Sequence, residues 1–429
     1  MLNHNHGLWV QVDEDGRLVL SPELMSRYGI KAGVRVCVDE GTSGLYLHRP
    51  TRLLKLYVEP TNRCNLDCRT CIRHSWNEPM GRMSDLVFDR VIDGLSAFSP
   101  RPTVFFGGFG EPLSHPKIVE MITRVKALGA PVELITNGTL LTPDLSQKLI
   151  RVGLNVLWVS LDGATPESYA DVRLGAKLPQ VLDNLAGFRN ALNTDCIVSP
   201  CGPIPAFSTV LGIAFVAMKR NIADLPAVLK LAQEFGANHF LVTNVLPYTK
   251  EMCQEALYYW AQSDSAPSGN PGLEPIPRLS MPVMEAMDST RDPLYWSMRY
   301  GKTMSWAGSD MASAKGRCPF IESGTGAIGW DGGFSPCLAL MHSYSSFTLD
   351  RERYSRRWVI GNIVEKSLSD LWNDPEHIAF REKVQSFDFA PCAACGGCEL
   401  ADYNEEDCEG NTFPTCGGCL WAQGLIQCP

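Results

Sequence analysis

Between Leu54 and Tyr248, short apolar runs alternate with longer amphipathic stretches, and this alternation constrains the fold more than any other feature of the chain. The runs fall at residues 54–59, 103–107, 132–135, 156–160, 211–218 and 239–245, each the length of a strand. Between them, apolar residues recur every three or four positions, as in Ile118, Met121, Ile122, Val125 and Leu128, the spacing of one helix face. Helices are expected at 84–98, at 118–128, after Thr142 as cap with Pro143 in the first position, at 182–192 and at 225–235. Strand–helix alternation predicts a parallel sheet with helical crossovers. Six such units fit either an open doubly wound sheet or a partial barrel, and periodicity does not choose between them.

The flanks read differently. Residues 1–50 form a small β-rich module, with strands at 8–12, 18–20, 34–38 and 45–47, a turn at Asp15-Gly16 and a helical turn at 24–28 opened by Ser21-Pro22. Residues 249–317 contain a Ser-, Pro- and Gly-rich stretch at 263–277, expected as a linker or substrate region before a C-terminal domain at 318–429. A net charge of −9 gives no broad footprint for nucleic acid. No run reaches the ~18 apolar residues of a membrane span, and the polar start lacks the order of a secretory signal, so the cytosol is the expected compartment. Sixteen cysteines are then anomalous, because a reducing compartment disfavours structural disulfides and turns attention to metal ligation. Three lie together at Cys64, Cys68 and Cys71, and nine lie between Cys318 and Cys428. Cys37, Cys196, Cys201 and Cys253 are scattered, and Cys253 reads as a small buried apolar residue.

The triplet Cys64-X3-Cys68-X2-Cys71 follows the first expected strand, where parallel sheets bind their ligands. Three thiolates hold three irons of a [4Fe–4S] cube and leave the fourth iron open. A zinc site with a remote fourth ligand is the alternative reading. In spacing and place the triplet resembles the radical S-adenosylmethionine (SAM) superfamily, and so do the segments closing the next strands. Gly107-Gly108-Phe109-Gly110-Glu111-Pro112 is similar to the family's Gly-Gly-Glu-Pro segment with Phe109-Gly110 inserted, Thr136-Asn137-Gly138 follows the third strand, and Ser160-Leu161-Asp162-Gly163 follows the fourth. Arg173 stands where many relatives carry a carboxylate-binding arginine, whereas Thr70 replaces an aromatic residue common near the adenine. The resemblance covers residues 53–248. It implies a partial (β/α)6 TIM-type barrel and a cofactor site drawn from Gly108, Gly110, Glu111, Asn137, Ser160, Asp162 and Arg173. Taken singly these have blander readings, Ser160 and Asp162 as helix caps and Arg173 as a solvated charge.

Cys318-X13-Gly332-X4-Cys337, followed by a gap and Cys392, Cys395, Cys398, Cys408, Cys416, Cys419 and Cys428, resembles the SPASM extension of radical SAM enzymes, which implies one or two auxiliary [4Fe–4S] clusters. The pairs Cys392/Cys395 and Cys416/Cys419 also satisfy zinc-ribbon spacing, which would leave five cysteines unexplained. The tail departs from the usual SPASM spacing. Residues 408–429 are similar to the maturases associated with tungsten-containing aldehyde oxidoreductases, and residues 16–38 resemble AbrB-like swapped-hairpin domains. These resemblances imply an α/β enzyme that cleaves SAM reductively and modifies a protein, a peptide or a pterin cofactor for a tungsten oxidoreductase, with ferredoxin or flavodoxin as electron donor. A peptide-crosslinking or sulfatase-maturase-like enzyme and a non-catalytic iron–sulfur scaffold are the alternatives. Residues 1–50 carry five basic and six acidic side chains, which favours docking or homodimerisation over DNA binding. No side chain is singled out as general acid or base.

Overall fold

The six apolar runs become six parallel strands: β1 (Lys55–Val58), β2 (Thr103–Phe106), β3 (Val132–Thr136), β4 (Val156–Ser160), β5 (Val210–Ala217) and β6 (His239–Asn244), paired in that order. The computed structural model describes residues 52–194, 209–260, 318–348, 351–394 and 398–429, with shorter segments at 11–14, 17–22, 24–25, 37–41, 44–48, 196–199, 202–205, 282–284 and 304–306. Strand side chains alternate between faces. Leu56, Val58, Val104, Phe106, Leu134, Leu157 and Val159 pack outward against the helices, while Tyr57, Phe105, Ile135 and Trp158 face the cysteine-rich segment. Both faces are covered, as a parallel sheet requires.

The crossovers follow from their caps and stripes. Helix α1 (Asp85–Ser96) starts where Ser84 accepts from the Val87 amide, and α2 (Ile118–Ala127) buries Ile118, Met121, Ile122 and Val125. Thr142 caps α3 (Pro143–Arg151), with Pro143 in its first turn. Helix α4 (Pro166–Val172) was not expected: it is short, and a Thr165/Ser168 capping box holds it. Helix α5 (Leu178–Thr194) begins four residues earlier than the expected 182, because Leu178 and Val181 continue the buried stripe of Leu185 and Phe188. Helix α6 (Leu225–Glu234) completes the set.

The sheet extends beyond these six strands at both edges. Strand β7 (Met304–Trp306) pairs with β6, β8 (Thr325–Ile328) pairs parallel with β1, and β9 (Gly333–Ser335) follows antiparallel. Segment 249–317 is therefore more than a linker: it holds a helix at Lys250–Glu255, the paired strands Tyr258–Trp260 and Pro282–Met284, and β7, while 263–277 lies outside the described residues. These strands are three residues long, too short for alternation to register. Strands β10 (Tyr344–Thr348) and β11 (Arg351–Ser355) form a hairpin, β12 (Gly361–Asn362) joins β9, and helices α7 (Leu368–Trp372) and α8 (Pro375–Ser386) follow.

Strands β1 and β6 do not pair with each other, so the barrel is partial. Residues 425–429 run across the open side. The Leu425 carbonyl accepts from Asn244 Nδ2 at 3.0 Å, the Gln427 amide donates to Thr243 Oγ1 at 2.8 Å, and Tyr57 Oη donates to the Pro429 carbonyl at 2.9 Å. Residues 1–52 form a separate unit with two antiparallel pairs, Gln11–Val12 with Leu18–Val19 and Cys37–Gly41 with Gly44–His48. Ser21 Oγ accepts from the Leu24 amide, as its expected capping role requires; residues 8–10, 26–28 and 34–36 of the expected elements lie outside the described residues. No helix among the described residues is long and apolar enough to cross a membrane.

Candidate active site

The chain leaves β1 at Glu59 and turns back on itself to present three thiols. Arg73 organises this loop: its Nε donates to Cys71 Sγ at 3.1 Å, Nη1 to the Asn62 carbonyl at 3.4 Å and Nη2 to the Leu66 carbonyl at 3.1 Å. A second cation stands on the other side, with Arg173 Nη1 3.9 Å from Cys68 Sγ. Burial pushes the Cys64 and Cys68 thiols up, opposed at Cys64 by the Leu66 amide and at Cys68 by Arg173. Metal loading would replace those protons, and the two guanidinium groups would remain to balance the thiolate charge. Three sulfurs on one loop, cations against two of them and no fourth thiol from the loop suit a cluster with one open iron.

The strand-end residues converge on this loop. Glu111 is 2 % exposed and fully engaged: Oε1 accepts from the Leu113 amide and from Thr136 Oγ1, and Oε2 from the Asn137 amide at 2.7 Å. Burial raises its pKa against those donors. Glu111 thus ties the ends of β2 and β3 together. Asn137 in turn donates to Asn65 Oδ1 at 2.9 Å and lies 3.8 Å from Cys64 Sγ. Gly110 must be glycine, because a Cβ there would collide with the Thr61 and Arg63 carbonyls as the two loops cross. Gly108 sits at φ +132° against Glu59, a backbone that side chains rarely adopt. Neither Ser160 nor Asp162 caps α4; Thr165 does. Ser160 is half-buried at the end of β4. Asp162 is wholly buried, pairs with Arg173 Nε at 2.6 Å and accepts from the Val216 amide at 2.8 Å. Burial opposes the Arg173 charge, but Asp162 and Cys68 outweigh it, so Arg173 is a buried, permanently charged group. Sequence reasoning missed Arg73, although its place two residues after Cys71 marks it, and read Thr136 only as part of the Thr136-Asn137-Gly138 segment.

Four of the C-terminal thiols share one place. Cys318, Cys337, Cys416 and Cys419 line a cavity with Tyr344, Arg353 and Trp421. Burial pushes Cys318 up to about 12 and also holds Cys337 and Cys416 well above the ordinary thiol value; at each of the three, neighbouring thiols of this set add to the rise. Burial also raises Cys419. Arg353, 6 % exposed, reaches this set because Gly418 leaves room that a Cβ would fill. Such desolvated thiols around a void fit a cluster bound on all four corners. Among the described residues no three His, Cys, Asp or Glu side chains converge on one ion, and the zinc-ribbon set includes Cys395, which is not among them. Cys392 and Cys398 are half-buried nearby in sequence, Cys408 is exposed, and Cys395 lies outside the described residues. Cys428 does not line that cavity: Trp421, which does, donates Nε1 to its sulfur at 3.4 Å, and burial holds it up to about 11.

A partial barrel with three thiols at the first strand end, joined to a segment with a four-thiol cavity, defines a radical SAM domain followed by an iron–sulfur domain, and the chain is a radical SAM enzyme. Residues 58–203 match the radical SAM superfamily, and residues 318–399 match SPASM, an iron–sulfur cluster-binding domain. Its cofactors are therefore SAM, a [4Fe–4S] cluster and auxiliary clusters. The chain is 28 % identical over 381 residues to the tungsten-containing aldehyde ferredoxin oxidoreductase cofactor-modifying protein of Pyrococcus furiosus, covering 87 % of this chain and 96 % of that one. It is 31 % identical over 191 residues to the AdoMet-dependent heme synthase of Methanosarcina barkeri, covering 44 % of this chain and 50 % of the relative. In fold it is similar to Streptococcus suis SuiB bound to precursor peptide SuiA, with a TM-score of 0.53 and 15 % identity, covering 82 % of this chain and 72 % of that one.

Proposed function

We propose that this enzyme is a maturase that uses SAM radical chemistry on a protein, peptide or pterin cofactor destined for a tungsten-containing oxidoreductase. The likeness to the Pyrococcus furiosus cofactor-modifying protein over 96 % of that protein's length carries the reading. In it, Cys64, Cys68 and Cys71 hold the cluster that binds SAM, and Gly108, Gly110, Glu111, Asn137, Ser160, Asp162 and Arg173 form or position the SAM envelope. Cys318, Cys337, Cys416 and Cys419 hold one auxiliary cluster, and Cys392, Cys395, Cys398 and Cys408 remain for a second. Residues 1–52 dock the partner or a second copy, and a ferredoxin or flavodoxin supplies electrons.

When bound and reduced, the SAM cluster would supply the one electron that breaks the S–C5′ bond of SAM, releasing methionine and a 5′-deoxyadenosyl radical that abstracts a hydrogen atom. The chain's own part is placement. Arg73 and Arg173 offset negative charge at the thiolates, Glu111 and Asn137 fix the second and third strand ends against the thiol loop, and residues 425–429 screen the open side from water.

Deleting the gene in its host tests the substrate. The tungsten oxidoreductase should accumulate as inactive apoprotein; full activity of that enzyme together with loss of a crosslink from a small peptide would replace this reading with a peptide-modifying one.

A further inference from the structure

Outside the thiol sites, one buried group of charges joins the iron–sulfur domain to the SAM site. His342, five residues beyond Cys337, is 3 % exposed and stands between two carboxylates. Its Nε2 meets Glu59 Oε2 at 2.8 Å and its Nδ1 meets Glu78 Oε2 at 2.5 Å. Glu78 Oε1 accepts from the Ser343 amide at 2.7 Å. Trp76 stacks on the imidazole at 4.3 Å, and Phe109 meets it edge-on. An ionised carboxylate only accepts, so with Glu59 and Glu78 both ionised, both ring nitrogens carry hydrogen and the imidazole is a cation.

The second oxygen of Glu59 gives this arrangement its meaning. Glu59 Oε1 accepts from the Phe109 amide at 3.0 Å, in the middle of the loop from Gly107 to Glu111. That loop packs through Gly110 on the backbone between Thr61 and Arg63, bonds through the Glu111 amide to the Arg63 carbonyl at 2.9 Å, and continues through Glu111 to Asn137 beside Cys64. An unbroken set of hydrogen bonds and packed backbone therefore runs from the hairpin side of the iron–sulfur domain to the thiol loop.

We propose that His342 is a positioning residue for SAM: as a protonated tie between Glu59 and Glu78 it lets the iron–sulfur domain hold the Gly107–Glu111 loop in its SAM-binding position. The proposal rests on the radical SAM reading of the Cys64–Cys71 loop. Burial works against the charge on His342, but Glu59 and then Glu78 outweigh it and raise its pKa to about 9 from an ordinary 6.5. The other charges near the tie are Arg357, which lowers the Glu78 pKa from the next strand connection, and Asp331, which holds Arg357 at 3.0 Å. Because the folded-state pKa is raised, the tie is complete below pH 6.5 and is lost as pH rises through about 9.

The test is made on the reconstituted full chain, measuring KM for SAM, kcat for 5′-deoxyadenosine formation, iron content and the change that SAM produces in the EPR signal of the reduced enzyme. His342→Gln alone leaves two buried carboxylates facing a neutral group, so the informative variant is His342→Gln with Glu59→Gln, which removes a charge from each side. With iron content equal to wild type, KM for SAM should rise about tenfold, as for a modest coupling between sites, with a smaller change in kcat. The wild-type KM should climb above pH 9 while that of the double variant stays flat. Equal KM values, or the same alkaline rise in both proteins, would overturn the tie. A wild-type enzyme that formed no 5′-deoxyadenosine would instead overturn the radical SAM reading beneath it.

Discussion

Cys64, Cys68 and Cys71 lie on a loop with guanidinium groups against two of the sulfurs, whereas Cys318, Cys337, Cys416 and Cys419 line a cavity with Arg353 as its cation. The first set has three sulfurs beside the open ends of parallel strands; the second has four with no corner left over. Three thiolates leave an iron able to take SAM, and four leave an iron–sulfur group suited to hold charge or pass electrons. The surroundings agree. The triplet is met by polar side chains from β2, β3 and β4, while the four-thiol cavity is walled by Leu340, Phe320, Leu420 and Trp421. On the proposed ligand assignment, one chain builds a reactive site and a closed one by changing the number of ligands and the polarity around them.

The contrast breaks most visibly if the triplet is removed. Replacing Cys64, Cys68 and Cys71 with Ala should abolish 5′-deoxyadenosine formation while iron analysis falls by only about four atoms, the content of one cube. Next in size, Arg173→Met leaves the wholly buried Asp162 without its partner and should cost about 3–5 kcal/mol of stability in denaturant melts, with Arg173→Lys losing less. Cys337→Ser sharpens the other half: about four irons should be lost with SAM still able to bind, whereas Cys428→Ala, outside the lining of the four-thiol cavity, should leave iron content unchanged. The smallest effect is expected from removing residues 1–52, which form their own unit, so SAM cleavage without protein substrate should stay within about twofold of wild type.

The two sites also differ in how far they could be read in advance. The triplet, Glu111, Asn137 and Asp162 are legible because each follows the end of a strand whose apolar run is itself visible, whereas Arg173, which closes helix α4, is legible only through the family resemblance. Six strands were legible through those apolar runs, and β7 and β8 were not: β7 is three residues long, β8 opens on Thr325-Gly326 instead of an apolar run, and what makes them strands is an edge offered by β6 and β1. In the C-terminal domain the spacing located the cysteines but could not sort them. Cys318 and Cys419 meet through folding across a hundred residues of chain, and only the fold shows that Cys428 does not line their cavity. His342 had no local signal at all, since Glu59 and Glu78 are 283 and 264 residues away.

The central claim, one open cluster and one closed in the same chain, is tested most directly by electron–nuclear double resonance on the reduced enzyme with SAM labelled with ¹⁵N at its amino group and ¹⁷O at its carboxylate. Coupling of both labels to a single cluster is the predicted result, lost in the Cys64/Cys68/Cys71 variant and retained in Cys337→Ser. Coupling that survives removal of the triplet, or that disappears with Cys337, would contradict the account.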